Sequence, residues 1–435
     1  MEKKPIAICW LRRDLRIEDH HALFKALQSG LPVLLIFIFD KNILEGLPKY
    51  DKRLIFIYQN LQKIHQKLQQ YRSGLRTYYG EPKEIWQQIL LDYHVKAVFT
   101  NHDYEPYAIE RDKKIENLLK QSGIDFYTFK DQVICEKDEV LKEDGKPYTV
   151  YTPYSKKWKE VVKNQGIPYY PSENYLDRCL QDSDFYLHSL EEIGFIYQKL
   201  DFFSSELRTE TLKKYAESRD IPSDETGTSK LSVHLRFGTV SIRKIYHQAV
   251  GVSEKFINEL IWREFYMMIL YHFPYVVHSC FRPEFNEVQW NHDEKLFELW
   301  CEGKTGVPIV DAGMRELNQT GYMHNRVRMI VASFLTKNLW IDWRWGEKYF
   351  AEKLLDFELA SNNGSWQWVA GCGVDAAPYF RVFNPYLQTQ KFDSQLLYIK
   401  KWIPELETFD YPQPIVDVQN SAKKAIEFYQ RFLKK

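Results

Sequence analysis

In the stretch ELIWREFY, Glu259, Trp262, Arg263 and Tyr266 fall at i, i+3, i+4 and i+7. A helix there would put a carboxylate, an indole, a guanidinium and a phenol on one face. Such a face can hydrogen-bond and stack against a planar polar ligand. The plainer reading is a Glu259–Arg263 pair worth about a few tenths of a kcal/mol, with Trp262 half buried beside it. In YMHNRVRM, Asn325, Arg328 and Met329 share a second face with Arg326 a step around. Asparagine is a poor helix-interior residue unless its amide has a specific partner, which favours a binding role. TGTSKLS (226–232) combines a glycine, hydroxyls and a lysine ahead of a helical stretch. That composition can cradle phosphate through backbone N–H groups; for any one Ser or Thr, a simple helix N-cap is the alternative. In SNNGSWQWVAG (361–371), Trp366 and Trp368 follow an Asn-Asn-Gly that reads as a turn.

The elements that must carry these residues divide the chain. PIAICWL (5–11), PVLLIFIF (32–39), LRTYYG (75–80), VKAVFTN (95–101) and DFYTF (125–129) read as strands, separated by helical patterns such as KRLIFIYQNLQKIHQKLQQY (52–71). The alternation predicts, over residues 1–130, an α/β domain with a Rossmann-like, doubly wound parallel sheet. No GxGxxG follows the first strand, which argues against an ordinary dinucleotide site. LRRDLRIEDH (11–20) reads equally as a solvated charged loop or a ligand-lining one. Residues 131–200 turn polar and irregular and read as a long inter-domain linker. Residues 201–435 read as an all-α domain, as in SEKFINELIWREFYMMILYHF (253–273).

Lysine plus arginine and aspartate plus glutamate both total 59, so any basic patch must be local rather than global. The first apolar stretch is cut by Arg12 and Arg13 before it reaches signal-peptide length. The longest apolar run, 32–39, is far shorter than the roughly 20 residues of a membrane helix. Six cysteines, scattered without CxxC or Cys/His metal spacing, predict reduced thiols, a cytoplasmic protein and no bound metal. Eight of the twelve tryptophans lie between Trp262 and Trp368, which singles out the C-terminal half.

Six longer segments share a resemblance: WLRRDLRIEDHHAL (10–23), TSKLSVHLRFGTVS (228–241), ELIWREFY (259–266), GKTGVPIVDAGMREL (303–317), TGYMHNRVRM (320–329) and LASNNGSWQWVAGCGVDAAPYFRVFNP (359–385). Together they resemble the photolyase/cryptochrome family of flavoproteins, most closely its class I cyclobutane-pyrimidine-dimer DNA photolyases. The resemblance implies an antenna-chromophore domain, a linker and a C-terminal all-α FAD-binding domain. It implies that Tyr215 and the loop Thr228, Ser229, Lys230, Leu231 and Ser232 hold the FAD phosphates. Phe256 and Arg263 then lie near the cofactor, Asp356, Phe357 and Glu358 form a DGD-like segment against flavin and ribose, and Arg328 partners Asp356. Asn362 takes the place facing flavin N5.

The implied activity is light-driven: excited FADH⁻ passes an electron to a pyrimidine dimer, the cyclobutane ring splits, and the electron returns. Trp262 and Trp368 are the implied walls of the dimer pocket, with Glu259 and Asn325 reading thymine edges. Met329 and Asn325 stand where (6-4) photolyases carry histidines, so the resemblance favours cyclobutane dimers. Arg219, Arg326 and Arg381 are candidate DNA-phosphate contacts, each equally able to pair with a carboxylate. Trp366, Trp343 and Trp290 match the family's electron-refill chain. A second, antenna chromophore is implied as a deazaflavin, folate or flavin; NHDYEPYAIERD (101–112) looks more like deazaflavin-binding relatives, with Asp103 a contact. The expected partner is UV-damaged DNA, with the chain monomeric and needing no protein partner. The rivals are a blue-light signalling cryptochrome and a (6-4) photolyase. Against the former, the chain ends at YQRFLKK soon after FNPYLQTQKFD (383–393).

Overall fold

The computed structural model describes residues 3–182 and 185–433. Residues 183 and 184, within the stretch read as linker, and both chain ends lie outside the described residues. Two compact units emerge, each gathered from three stretches: Met1–Glu139, Trp158–Glu206 and Lys230–Gln248 in one, and Val140–Lys157, Leu207–Ser229 and Ala249–Lys435 in the other.

The first unit is built on five strands, β1 (Pro5–Leu11), β2 (Val33–Asp40), β3 (Leu75–Gly80), β4 (His94–Asn101) and β5 (Asp125–Phe129). They pair in parallel in the order β3-β2-β1-β4-β5, the doubly wound sheet expected from the alternation. β2 is buried throughout, as a strand covered on both faces must be. Beneath β1, Trp10 meets Trp86 edge-on at 5.5 Å.

The loop after β1 corrects one reading. Arg13, Asp14, Arg16, Asp19 and His20 are all buried, so LRRDLRIEDH is not a solvated loop. Arg16 and Arg243 both bind Asp131, at 2.7 and 2.9 Å, and Arg243 also binds Asp19 at 2.9 Å. Against its burial, the two guanidinium groups hold Asp131 well below the usual carboxylate range. Asp103 accepts from Arg13 at 3.1 Å and caps the backbone N–H groups of Tyr104 and Glu105.

The second unit is helical. Its core gathers Trp300, Phe334, Trp343, Phe350, Trp366 and Tyr429, all nearly inaccessible. The segment 131–200 is not wholly irregular: Tyr151–Gln165 is a 15-residue helix, because its Tyr154, Trp158 and Val162 recur at helical spacing and are buried.

SNNGSWQWVAG is likewise not a turn. Leu359–Ala370 is one helix, despite asparagine, serine and glycine being weak helix formers. Tertiary hydrogen bonds explain it. Asn363 and Gln367 both donate their side-chain amides to the Val276 carbonyl, at 3.0 and 2.9 Å, and Gln367 also donates to Asn363 Oδ1 at 3.0 Å. The side chains that would compete with the backbone are thereby engaged elsewhere. Gly364 is required for space: a Cβ there would lie 2.2 Å from the Tyr266 ring, so the helix Glu254–His272 could not approach. Among the described residues no helix is long and apolar enough to cross a membrane.

Candidate functional site

Two helix starts place most of the candidate residues. Ser253 caps the helix Glu254–His272 by accepting from Phe256 N–H, and this sets Glu259, Trp262, Arg263 and Tyr266 along one stripe. Phe256 is buried and meets Tyr215 edge-on at 5.2 Å. His324 caps the helix Asn325–Ser333 through Nδ1, 3.2 Å from Arg326 N. Burial pushes this imidazole down to about 4, so it is neutral at physiological pH. Its Nε2 is buried without a hydrogen-bond partner among the described residues.

Two part-buried ion pairs sit where the helix Leu359–Ala370 begins. Arg328 donates to both oxygens of Asp356, at 3.2 and 2.9 Å, and its Nε donates to the Met323 carbonyl at 2.7 Å. Arg263 donates to Glu358 at 3.1 Å, and Ser361 Oγ donates to the other Glu358 oxygen at 3.0 Å. Phe357, between the two acids, packs against the helical core. One turn into the helix, the Asn362 amide nitrogen donates to the Glu347 carbonyl at 3.0 Å and to Glu347 Oε1 at 2.8 Å. With its nitrogen fully committed, Asn362 can offer an incoming group only its oxygen. Burial raises the Glu347 carboxyl above its usual range, with the Asn362 hydrogen bond opposing.

The rim of the stripe is a connected charge network. Arg219 pairs with Glu259 and lies 3.8 Å from Asp220; Arg326 donates to Asp220 at 2.8 Å and lies 3.9 Å from the Met329 sulfur. Glu259, Arg219, Arg326 and Met329 are thus brought together. Two of the three basic candidates are ion-paired. Arg381 is exposed, makes no ion pair among the described residues, and lies over the rings of Trp368 and Phe383 at 5.8 and 5.1 Å. Asn325 is exposed beside this network.

Trp262 is stacked face to face on Tyr151, with ring centroids 3.7 Å apart. Sequence reasoning missed Tyr151, which lay in the supposed linker, and Glu347 and Asp220, whose roles depend on distant contacts.

The three refill candidates are in different surroundings. Trp366 packs against Phe350 and Trp300, at 5.0 and 6.2 Å, and crosses so close to Gly346 that a Cβ there would lie 2.2 Å from the indole. Trp290 packs against Trp340 at 5.1 Å. Trp343 is fully buried and, among the described residues, stacks on neither of the other two. The phosphate-loop candidates straddle the passage between units, with Thr228 and Ser229 in the helical unit and Lys230, Leu231 and Ser232 in the other. Lys230 has a left-handed backbone, φ 51°.

Residues 7–172 match the DNA photolyase family, and residues 256–410 match the FAD-binding domain of DNA photolyase. The deoxyribodipyrimidine photo-lyase of Alkalihalophilus pseudofirmus is 35% identical over 97% of this chain and 97% of its own length. The chain belongs to the DNA photolyase family. Among solved structures, a bacterial class III photolyase from Agrobacterium tumefaciens superimposes with a TM-score of 0.87 at 32% identity, covering 100% of this chain and 99% of that one. A Synechocystis cryptochrome superimposes with a TM-score of 0.85 at 27% identity, covering 98% and 99%. The fold is therefore shared with both a photolyase and a cryptochrome.

The site fits the FAD that this domain binds. The Asn362 oxygen, the Arg328–Asp356 and Arg263–Glu358 pairs and the Tyr215–Phe256 aromatic corner supply the acceptor, fixed charges and apolar faces that a flavin and its sugar call for.

Proposed function

We propose that this photolyase-family chain repairs cyclobutane pyrimidine dimers in UV-damaged DNA. The observation that carries the choice of lesion is the pair Asn325 and Met329 on the helix Asn325–Ser333, which stand where (6-4) photolyases carry histidines, because (6-4) repair calls for proton transfer. Asn325 and Met329 stand one turn apart and neither transfers a proton.

Reduced FAD, when bound, supplies the light-excited electron that opens the cyclobutane ring and takes it back afterwards. The chain's own residues position and shield. Arg328 and Asp356, with Arg263 and Glu358, hold the flavin and sugar. Glu347 holds the Asn362 amide nitrogen, so the oxygen is what Asn362 would offer a bound flavin. A damaged, poorly stacked pair is cheaper to extrude than a normal one; Trp262 and Trp368 receive it, and stacking contributes roughly 1–3 kcal/mol per base. Glu259 and Asn325 hydrogen-bond the thymine edges, and Arg381 takes a flanking phosphate. Trp366, Trp343 and Trp290 return electrons to an oxidised flavin. The Asp40, Arg111 and Tyr107 cluster at the sheet edge, with Arg111 over Trp10 at 5.1 Å, is where an antenna chromophore would sit. The protein acts in the cytoplasm as a monomer.

The test is direct. Dithionite-reduced protein, mixed with an oligonucleotide carrying one thymine dimer and illuminated with blue light, restores thymine. A protein that retains FAD but restores none would be a signalling member instead.

A further inference from the structure

All six cysteines are buried and unbridged, and two of them lie together beside the proposed refill chain. Cys280 and Cys372 are each 1% exposed, and their sulfurs lie within hydrogen-bond reach of each other. The backbone fixes the approach: Arg282 N donates to the Cys372 carbonyl at 3.0 Å, and Phe281 N to Gln367 Oε1 at 2.7 Å. The Cys280 sulfur also neighbours the Trp343 indole N–H, which finds no well-aligned acceptor among the described residues. Arg344 brings a guanidinium nitrogen to 3.8 Å from that sulfur and lies 4.8 Å over the Trp343 ring. On the far side, Lys337 projects from a π-helical turn, Phe334–Asn338, and donates to the Ala370 carbonyl at 3.1 Å.

We propose that Cys280 and Cys372 form an internal dithiol that donates electrons through Trp343 during photoreduction of the flavin and closes to a disulfide.

The proposal rests on the reading of Trp343 as a member of the refill chain. Burial ordinarily makes a thiol inert because oxidants cannot reach it. Here the oxidant is generated inside the protein. A Trp343 radical cation takes one electron from the Cys280 thiolate, restoring the indole and leaving a thiyl radical. The thiyl bonds to the Cys372 sulfur, which gives up its proton, and a second light event removes the extra electron from the sulfur–sulfur bond. In sum, two thiols lose two electrons and two protons. Oxidised FAD gains both electrons and one proton, and the other proton is released. The surroundings favour this. The hydrogen bond from Cys372 and the Arg344 guanidinium, working against burial, lower the Cys280 thiol below its ordinary value, which favours the thiolate. Burial pushes the Lys337 amine down to about 7, so it can receive the Cys372 proton.

The experiment counts thiols. The protein as purified, with its flavin oxidised, is illuminated without air or added reductant, then denatured and titrated, and its peptides are mapped by mass. The expected result is the loss of two of the six thiols per flavin reduced, with a cross-link joining the peptides that contain Cys280 and Cys372. Cys280→Ser and Cys372→Ser each abolish the loss. A second arm needs no flavin: one-electron oxidation in the dark by hexachloroiridate(IV) gives the same cross-link, and Trp343→Phe suppresses it. Reduction of the flavin with all six thiols intact, no reduction of a bound flavin at all, or a dark reaction that leaves the pair open would each overturn the proposal. If repair fails while the cross-link forms, the reading of function falls and the dithiol stands.

Discussion

Tyr151 lies flat on Trp262, ring centroids 3.7 Å apart and planes within 3° of parallel. Its hydroxyl donates to the Asn258 carbonyl at 2.9 Å and its backbone N–H to Asp375 at 3.0 Å. The indole is therefore held in place before any base arrives. A stacked aromatic pair contributes about 0.5–1.5 kcal/mol beyond its area, so Tyr151→Ala should weaken dimer binding about two- to tenfold, while Tyr151→Phe, which keeps the stack, should stay close to wild type. Fluorescence anisotropy with a dimer-containing oligonucleotide checks this; undiminished affinity in the alanine variant would show that Trp262 needs no support.

The basic candidates should separate by salt dependence. Arg381→Ala is expected to make the slope of log K against log salt less negative by about 0.9, the value for one phosphate contact on B-DNA. Arg219→Ala and Arg326→Ala, whose charges already face Glu259 and Asp220, should change the slope much less. Equal changes in all three would mean that DNA breaks those ion pairs.

Glu347 is a positioning residue for Asn362. Glu347→Ala removes one of the two acceptors that hold the Asn362 amide, leaving only the residue 347 carbonyl, and should lower the flavin midpoint potential by about 20 mV for the two-electron couple, the equivalent of about 1 kcal/mol for one hydrogen bond. Glu347→Gln keeps an acceptor and should restore it. Spectroelectrochemistry reads the shift, and identical potentials in all three proteins would remove Glu347 from the site.

His324 gives the fold an acid-sensitive point. Its folded value is depressed to about 4, by burial first, from an ordinary 6.5. The stability linked to its neutral state is therefore complete above pH 6.5 and is lost as pH falls from 6.5 through about 4, on the order of 3 kcal/mol in all. His324→Asn, which can still cap the helix, should flatten the decline in that window, as read by circular dichroism during denaturant titrations at several pH values. An unchanged pH profile would place the acid sensitivity elsewhere.

The centre of the sheet was legible because buried parallel strands are continuous apolar runs, as in PIAICWL, which matches β1 end to end; LRTYYG and DFYTF, which match the edge strands β3 and β5 end to end, are only partly buried or exposed and were read from their aromatic and β-branched residues between turns. The stripe on ELIWREFY was legible for the same kind of reason, since helical spacing alone puts Glu259 beside Trp262. What escaped depends on partners far along the chain. Asn363 and Gln367 read as turn and loop residues until Val276 is seen to accept from both. The charges of LRRDLRIEDH read equally as solvated or ligand-lining until Asp131 and Arg243 are seen to pair with them. Tyr151 could not be assigned from a segment whose local signal was polarity.

The helix Leu359–Ala370 also sets a phase. At about 100° per residue, Asn362 and Trp366 point nearly the same way, while Trp368 is turned about 200° from Trp366. Had this been a loop, extra residues could bulge outward without disturbing the rest. In a helix, one inserted residue between Asn362 and Trp368 would turn everything after it by about 100° and lengthen it by about 1.5 Å. The stretch can therefore tolerate changes of letter far better than changes of length.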